Sequence, residues 1–280
     1  MSNGQSAPFS DVADVYDQLS EFFTTILGGS IHLGYWAEGD TLGDNAMVAA
    51  SERLTAMMID KIAVGPGQRV LDVGCGTGQP ALELVRATGA DVLGITISGE
   101  QVATATELGR SSGLADRMSF QLTDVMELPF ETGSFDAAWF FESLPHIRDR
   151  RRALEQVARV VRKGGLIALT DFVQIAPMTP RETEAATVLM ESFHLGGFCS
   201  LERYPEVIRE AGLEVVEVND ISANTIRSDD AFLDSFLTDL REKAAKFGAV
   251  AAEAIDSIET VSRGLNDLNQ IGYALLVARA

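Results

Sequence analysis

The stretch Val70-Leu71-Asp72-Val73-Gly74-Cys75-Gly76-Thr77-Gly78-Gln79-Pro80 decides the reading of this chain. An apolar run carries an acid, three glycines follow at alternate positions, and a helical pattern begins at the proline. This order predicts a strand, a tight turn and a helix N-terminus built to hold a small polar ligand. Glycine lets the backbone turn sharply and approach a ligand without a Cβ in the way. The helix behind it offers unpaired N–H groups and the positive end of its dipole. Pro80 suits the first helical turn, where its missing N–H costs nothing. Loops that carry a pyrophosphate use the spacing G-x-G-x-x-G. Here Gly78 arrives one residue early for that pattern, and Asp72 stands two residues before the first glycine. A carboxylate at that point repels a pyrophosphate and suits a cationic amino group.

Outward from this loop the chain alternates strand and helix patterns. Strands are expected at Val70–Val73, Val92–Ile95, Met118–Leu122, Phe135–Phe140 and Leu166–Leu169. Leu154, Val157, Ala158 and Val161 make a helical stripe that Gly164-Gly165 ends. Alternation of this kind implies parallel βαβ units in a doubly wound α/β sheet. Ligands of such sheets bind beyond the carboxyl ends of the strands, at the switch point, which is where the glycine loop falls. Upstream, Asp11 to Ile26 reads as an amphipathic helix that includes Tyr16; Gly28-Gly29 ends it, and an aromatic loop runs from Ile31 to Trp36. A second helical stretch covers about Asn45 to Ile62. Downstream, Phe172 to Ser200 reads as an irregular apolar insertion, Tyr204 to Ala211 as a helix and Leu213 to Val218 as a strand. Asp229 to about Asn266 reads as a second, helical insertion, and Ile271 to Val277 as the last strand.

The 280 residues suit one large α/β domain with a helical cap, and 46% hydrophobic residues supply its core. A formal charge of −19 argues against a nucleic-acid partner, since phosphate binding wants a basic face. The two cysteines, Cys75 and Cys199, make neither a disulfide framework nor a zinc set. The three histidines fall in no ligand-spaced cluster, so no metal site is expected. No signal peptide or membrane span is read, and a soluble, cytoplasmic protein is expected.

The spacing Asp72-x-Gly74-x-Gly76-x-Gly78 resembles motif I of the class I S-adenosylmethionine (SAM) methyltransferases. That resemblance implies SAM as cofactor, its methionine end held by Asp72, Gly74, Gly76, Thr77 and Gly78. It also implies a Rossmann-like seven-stranded sheet closed by a β-hairpin pair, which strands near 215 and 275 would form. On this reading residues 1–280 are a single domain: an N-terminal helical lid over 1–64, a SAM-binding core over 65–171, and cap insertions over 172–203 and 229–266. The lid segments either close over the ligand edge or only cover the core.

The second strand ends Gly94-Ile95-Thr96-Ile97-Ser98 without the acid that most of the family uses on the ribose. Gly-Ile-Thr-x-Ser-x-x-Gln looks like the branch of sterol and tocopherol methyltransferases, cyclopropane synthases and natural-product methyltransferases. There the resemblance gives ribose contact to Thr96, Ile97, Ser98 and Gln101; the same residues also spell a capping box. By resemblance Asp124 accepts from the adenine amino group and Val125 stacks near the ring, with Met126 and Phe141 beside the cofactor. Asp124 is equally a turn former. His32, Tyr35 and Trp36 resemble a lid loop over SAM or serve as an apolar anchor. Tyr16 either bonds the cofactor's carboxylate end or packs.

Phe141-Glu142-Ser143-Leu144-Pro145-His146 follows the fourth core strand, and Thr170-Asp171-Phe172 is read as following the fifth. Both would then reach the ligand edge, with His146 and Asp171 side by side. An alcohol is a poor nucleophile until its proton is removed, and a histidine held by a carboxylate can remove it. Glu-Ser-Leu-x-His followed by Asp-Phe resembles the rebeccamycin sugar O-methyltransferase branch of antibiotic-tailoring enzymes, in which this His and Asp are the base pair; Pro145 stands where relatives often carry a second His. Glu142, Phe172, Phe193, His194 and Phe198 are expected to line the acceptor pocket. The expected activity is O-methylation of a hydroxyl on a bulky small-molecule natural product, with the sugar of a glycoside among the candidate acceptors. Two alternatives stay open: C-methylation of an isoprenoid or polyketide-type acceptor, and a SAM-binding homologue that catalyses another step. Oligomeric state, including a homo-oligomer, is left open.

Overall fold

The computed structural model describes residues 32–40, 46–192, 194–225, 237–238, 240–242, 255–256, 259, 268 and 270–280. The expected helix over 11–26, with Tyr16, lies outside them, as do Phe193 and most of the second insertion.

The elements run α1 (Ala46–Ile62), β1 (Arg69–Val73), α2 (Gln79–Thr88), β2 (Asp91–Thr96), α3 (Gly99–Ser111), β3 (Met118–Leu122), β4 (Ala137–Phe140), α4 (Arg150–Val160), β5 (Leu166–Gln174), α5 (Pro180–Ser192), β6 (Cys199–Ser200), α6 (Tyr204–Glu210), β7 (Glu214–Asp220), α7 (Ser222–Thr225) and β8 (Ile271–Arg279). The sheet order is β3-β2-β1-β4-β5-β8-β7, with the two-residue β6 pairing β5. β1 to β5 are mutually parallel, and β8 runs antiparallel to both β5 and β7. This is the Rossmann-like sheet that the motif I resemblance implies, with the hairpin pair in its expected place. Among the described residues the short β6 adds an eighth strand to the seven anticipated.

Both faces of the sheet are covered, so its central strands read as nearly continuous apolar runs. Alternation along β1 divides the core. Leu71 and Val73 face one cluster with Phe140, Leu154, Val157 and Tyr204, under α4 and α6. Val70 faces the other with Leu54, Met58, Leu82 and Trp139, under α1 and α2.

Three differences from the sequence expectation bear on the site. β4 begins at Ala137, because Phe135 instead makes an isolated bridge to Val161. β5 continues past Leu169 to Gln174, because β8 pairs with it along its whole length, Leu166 opposite Arg279 through Gln174 opposite Ile271. Asp171 and Phe172 are therefore strand residues rather than a loop after the strand. Finally, the stretch read as irregular contains α5. Thr179 caps it reciprocally: the Thr179 N–H donates to Glu182 Oε2 at 2.7 Å and the Glu182 N–H to Thr179 Oγ1 at 3.3 Å.

Candidate functional site

A cavity of about 490 Å³ opens at the carboxyl ends of β1 to β4, where the switch-point rule places a ligand. Its floor is the glycine loop, Gly74 to Thr77. The loop is pinned to β2, with the Gly74 and Cys75 N–H groups donating to Ile95 O at 2.8 and 3.1 Å. Gly74 (φ +75°) packs so closely on Ser143 that a Cβ there would come within 2.3 Å of the serine Cβ. Gly76 (φ +53°) is the opposite case: a Cβ there would meet nothing within 4 Å, because it would point into open space. The bend thus presents bare backbone to a ligand-sized space.

One wall is the turn after β2. Thr96, Ser98 and Gln101 all line the cavity and are at most 7% exposed. The Thr96 hydroxyl donates to Gln101 Oε1 at 2.6 Å, and the Gln101 N–H donates to Ser98 Oγ at 3.1 Å. Ser98 caps α3, but the capping box does not close: the Ser98 N–H donates to Thr96 Oγ1 at 3.2 Å, and Gln101 Oε1 is taken by the Thr96 hydroxyl. Ile97 beside them is 55% exposed, a large apolar side chain at the rim. Asp124, Val125 and Met126 form the next wall; Asp124 Oδ1 accepts from the Met126 N–H at 2.9 Å and so shapes that short turn. Phe141, Glu142 and the turn carrying His146 complete the lining, with His32 stacked on Phe141 at 4.0 Å between ring centroids. Burial lowers the His32 pKa to about 4, so this ring is neutral at physiological pH.

Several expected residues lie elsewhere. Asp72 does not line the cavity. Strand alternation turns it to the Val70 face, against its register partner Trp139, where it is 2% exposed. It stands behind the glycine loop rather than in it, and its Oδ2 has no hydrogen-bond partner. Burial lifts the Asp72 pKa to about 7; the Trp139 indole relieves this only in part, its Nε1 being off hydrogen-bond geometry. Gly78 turns away from the cavity into Ala105 and Phe120. Trp36 is a buried anchor: its N–H donates to Asn224 O at 2.7 Å and its carbonyl accepts from Asn224 Nδ2 at 2.8 Å. Tyr35 is held through its backbone by α1. Phe172 and Phe198 pack beside Ala186, Leu268 and Ile271 in a satellite cluster, not on the cavity wall. His194 ends the α5 segment with φ +51° and is also off the wall.

The largest correction concerns Asp171. It is fully buried and its carboxylate is taken by others: Arg150 Nε donates to Oδ2 at 2.6 Å, and Tyr204 Oη to Oδ2 at 2.8 Å. Three residues before the end of β5, its side chain enters the core beneath α4 and α6, while His146 lines the cavity. Glu142 does share the cavity with His146, as do Asp124 and Asp149. Glu142 adopts φ +52°, and its Oε1 accepts from the Leu33 N–H at 2.7 Å and from Tyr273 Oη at 2.6 Å. Burial raises the Glu142 pKa to about 7. The sequence reading gave no site role to Arg150, Tyr204 or Tyr273.

Two raised acids make stability depend on pH. Asp72 and Glu142 have ordinary values of 3.8 and 4.5 and titrate near about 7 when folded. Between these limits the folded protein binds more protons than the unfolded chain, so stability falls as pH rises across the window. Below about pH 4 the contribution is complete, and above about pH 7 it is gone. Urea denaturation without ligand is therefore expected to give a lower midpoint at pH 8 than at pH 5. Asp72→Asn, which removes one buried charge, is expected to recover about 1–3 kcal/mol at pH 8. A variant with the wild-type pH dependence would contradict this account of Asp72.

The residues present fit SAM. A bare glycine bend faces ligand-sized space, and a buried carboxylate with an unpartnered oxygen lies behind it, a complement to a cationic ligand. The adjoining wall is mostly apolar.

Comparison with known proteins agrees. A family model described as a methyltransferase domain matches residues 71–169. The chain is 35% identical over 277 residues to the methyltransferase GfsG of Streptomyces halstedii, covering 96% of this chain and 93% of that one. It is 33% identical over 278 residues to the 27-O-demethylrifamycin SV methyltransferase of Amycolatopsis mediterranei, covering 96% and 97%. Among solved structures, the 4+2 cyclase SpnF superposes with a TM-score of 0.79 at 31% identity, over 96% of this chain and 94% of that one. Sheet order, glycine bend and kinship over nearly the whole length lead to one assignment: the chain belongs to the class I methyltransferases and uses S-adenosylmethionine.

Proposed function

We propose that this enzyme methylates a hydroxyl of a bulky small-molecule natural product, aglycone or sugar, with His146 as general base. One observation carries the reading: His146 lines the same cavity as the glycine bend, beside apolar Phe141, Met126 and Ile147. When bound, SAM supplies an electrophilic methyl group on a sulfonium. Gly74 to Thr77 would hold its methionine end, and Thr96 to Gln101 with Asp124 its adenosine end. Against that frame His146 orients the acceptor hydroxyl and takes its proton on an imidazole nitrogen. Imidazole suits the task because its ordinary titration range lies near neutrality. Holding donor and acceptor in line can account for about 7–11 kcal/mol of the barrier. Glu142 fastens the 32–36 loop to the end of β4 through Leu33, and the apolar wall keeps water from the reacting atoms. The relative named for an O-demethylated acceptor supports transfer to oxygen.

A second reading, favoured by the likeness to a 4+2 cyclase, is that the cofactor is bound while the pocket promotes a cyclisation. One assay separates the two. The enzyme is incubated with methyl-labelled SAM and a panel of alcohols, 27-O-demethylrifamycin SV and simpler macrocyclic and terpenoid alcohols among them. Release of S-adenosylhomocysteine with an O–CH₃ product is expected. A rearranged acceptor without S-adenosylhomocysteine would favour the cyclase reading, and a C–CH₃ product would overturn transfer to oxygen.

A further inference from the structure

We infer that Arg150 is a positioning residue: it ties the turn that carries His146 to the segment leaving α5, with Asp171 as its buried anchor. The inference rests on the reading of His146 as the group that meets the acceptor.

Arg150 opens α4, yet its side chain is only 8% exposed. Its guanidinium makes four hydrogen bonds in three directions. Nε and Nη2 reach the Asp171 carboxylate at 2.6 and 3.4 Å, Nη1 donates to Ile147 O at 3.1 Å, and Nη2 donates to Gly197 O at 2.6 Å. Ile147 directly follows His146. Gly197 lies between α5 and β6. The two backbone segments also meet without Arg150: the Gly196 N–H donates to Pro145 O at 2.7 Å, and a Cβ at Gly196 would come within 2.6 Å of the Ile147 carbonyl carbon. The His146 turn is therefore clamped from both sides, by Gly196 at Pro145 and by Arg150 at Ile147.

A neutral side chain could cap one carbonyl, but spanning two segments and a carboxylate needs the planar fork that only arginine has. A buried guanidinium in turn requires a charge partner, which is what Asp171 provides. Tyr204, donating to the same carboxylate oxygen as Nε, fixes the anchor from α6. Asp171 thus serves His146 through Arg150 and the backbone, rather than by touching the ring. The same clamp makes the position of His146 depend on the 195–198 segment, which follows the α5 cap.

The test uses the full chain saturated with S-adenosylhomocysteine and needs no methyl acceptor. The three imidazoles are followed by NMR titration, with His146 assigned from the spectrum of His146→Gln. Amide hydrogen exchange of 144–149 and 196–198 is measured alongside. Arg150→Gln is expected to shift the His146 titration midpoint by about 0.5 or more and to speed exchange in both segments by about 10-fold, with S-adenosylhomocysteine affinity unchanged. Arg150→Lys keeps the charge without the fork and is expected to give an intermediate result. Should Arg150→Gln fail to fold because Asp171 is left without its partner, Arg150→Gln/Asp171→Asn removes both charges and is expected to show the same changes. A folded variant with wild-type His146 titration and wild-type exchange would overturn the inference. That outcome would leave the methyl-transfer reading standing, whereas an unproductive acceptor panel would leave the clamp standing.

Discussion

Replacing His146 with alanine is expected to slow methyl transfer by about 10²–10⁴-fold while SAM affinity stays at the wild-type value. The lost rate is that of a positioned base in the transition state, so kcat should fall and the Kd for SAM should not move. The fold has no reason to fail. His146 is half-buried on a cavity wall, and its short turn is closed by backbone bonds from the His146 N–H to Ser143 O at 3.3 Å and from the Ile147 N–H to Leu144 O at 2.9 Å. Raising the pH should partly restore the variant, because hydroxide then replaces the missing base, while the wild type should gain little. The acceptor identified from the alcohol panel serves as substrate. Unchanged kcat in the variant would remove His146 from the chemistry and shift attention to Glu142, a buried carboxylate on the same cavity.

The parts of this protein legible in the sequence are those set by local pattern. The strand, glycine bend and helix at 70–88 were readable because each step has its own residue chemistry: apolar run, turn glycines, proline at the first helical turn. The Thr96–Gln101 corner was readable for the same reason: Ser98 caps the helix, and the corner's side chains line the cavity. The α5 helix was also written locally, in Thr179-Pro180-Arg181-Glu182, a capping box with proline at the first position. The irregular apolar pattern of the sequence around it hid that signal.

What could not be read depends on partners far along the chain. Thr170-Asp171 looks like the polar end of a strand, and only pairing with β8, a hundred residues later, carries β5 on to Gln174 and draws Asp171 into the core. Arg150 is one of four arginines between 148 and 152 and reads as part of a solvated helix start. Its burial follows from how the first turn of α4 meets β5, which no spacing reveals. Asp72 shows the limit of motif reading in a different way. Its place was right and its direction was not, because strand alternation sends the side chain to the Trp139 face, behind the loop it was expected to enter. Any attraction it exerts on a cationic ligand acts from behind the bend, through the backbone.

The glycine bend itself is where the account stands or falls, and Gly76 is its most exposed point. Leucine at this position keeps the surrounding packing, since a Cβ meets nothing within 4 Å, and because Gly76 lines the cavity the added side chain is expected to obstruct a ligand there. The left-handed backbone at φ +53° adds a stability cost of about 1–2 kcal/mol, small against the loss of a ligand site. The decisive measurement is calorimetric titration of SAM and S-adenosylhomocysteine into the wild type and Gly76→Leu, with thermal melts of both. Saturable heat is expected for the wild type, and none for a variant that still melts cooperatively within several degrees of it. A wild type that takes up neither compound, or a Gly76→Leu protein that binds both as tightly, would contradict the claim that this bend holds the cofactor.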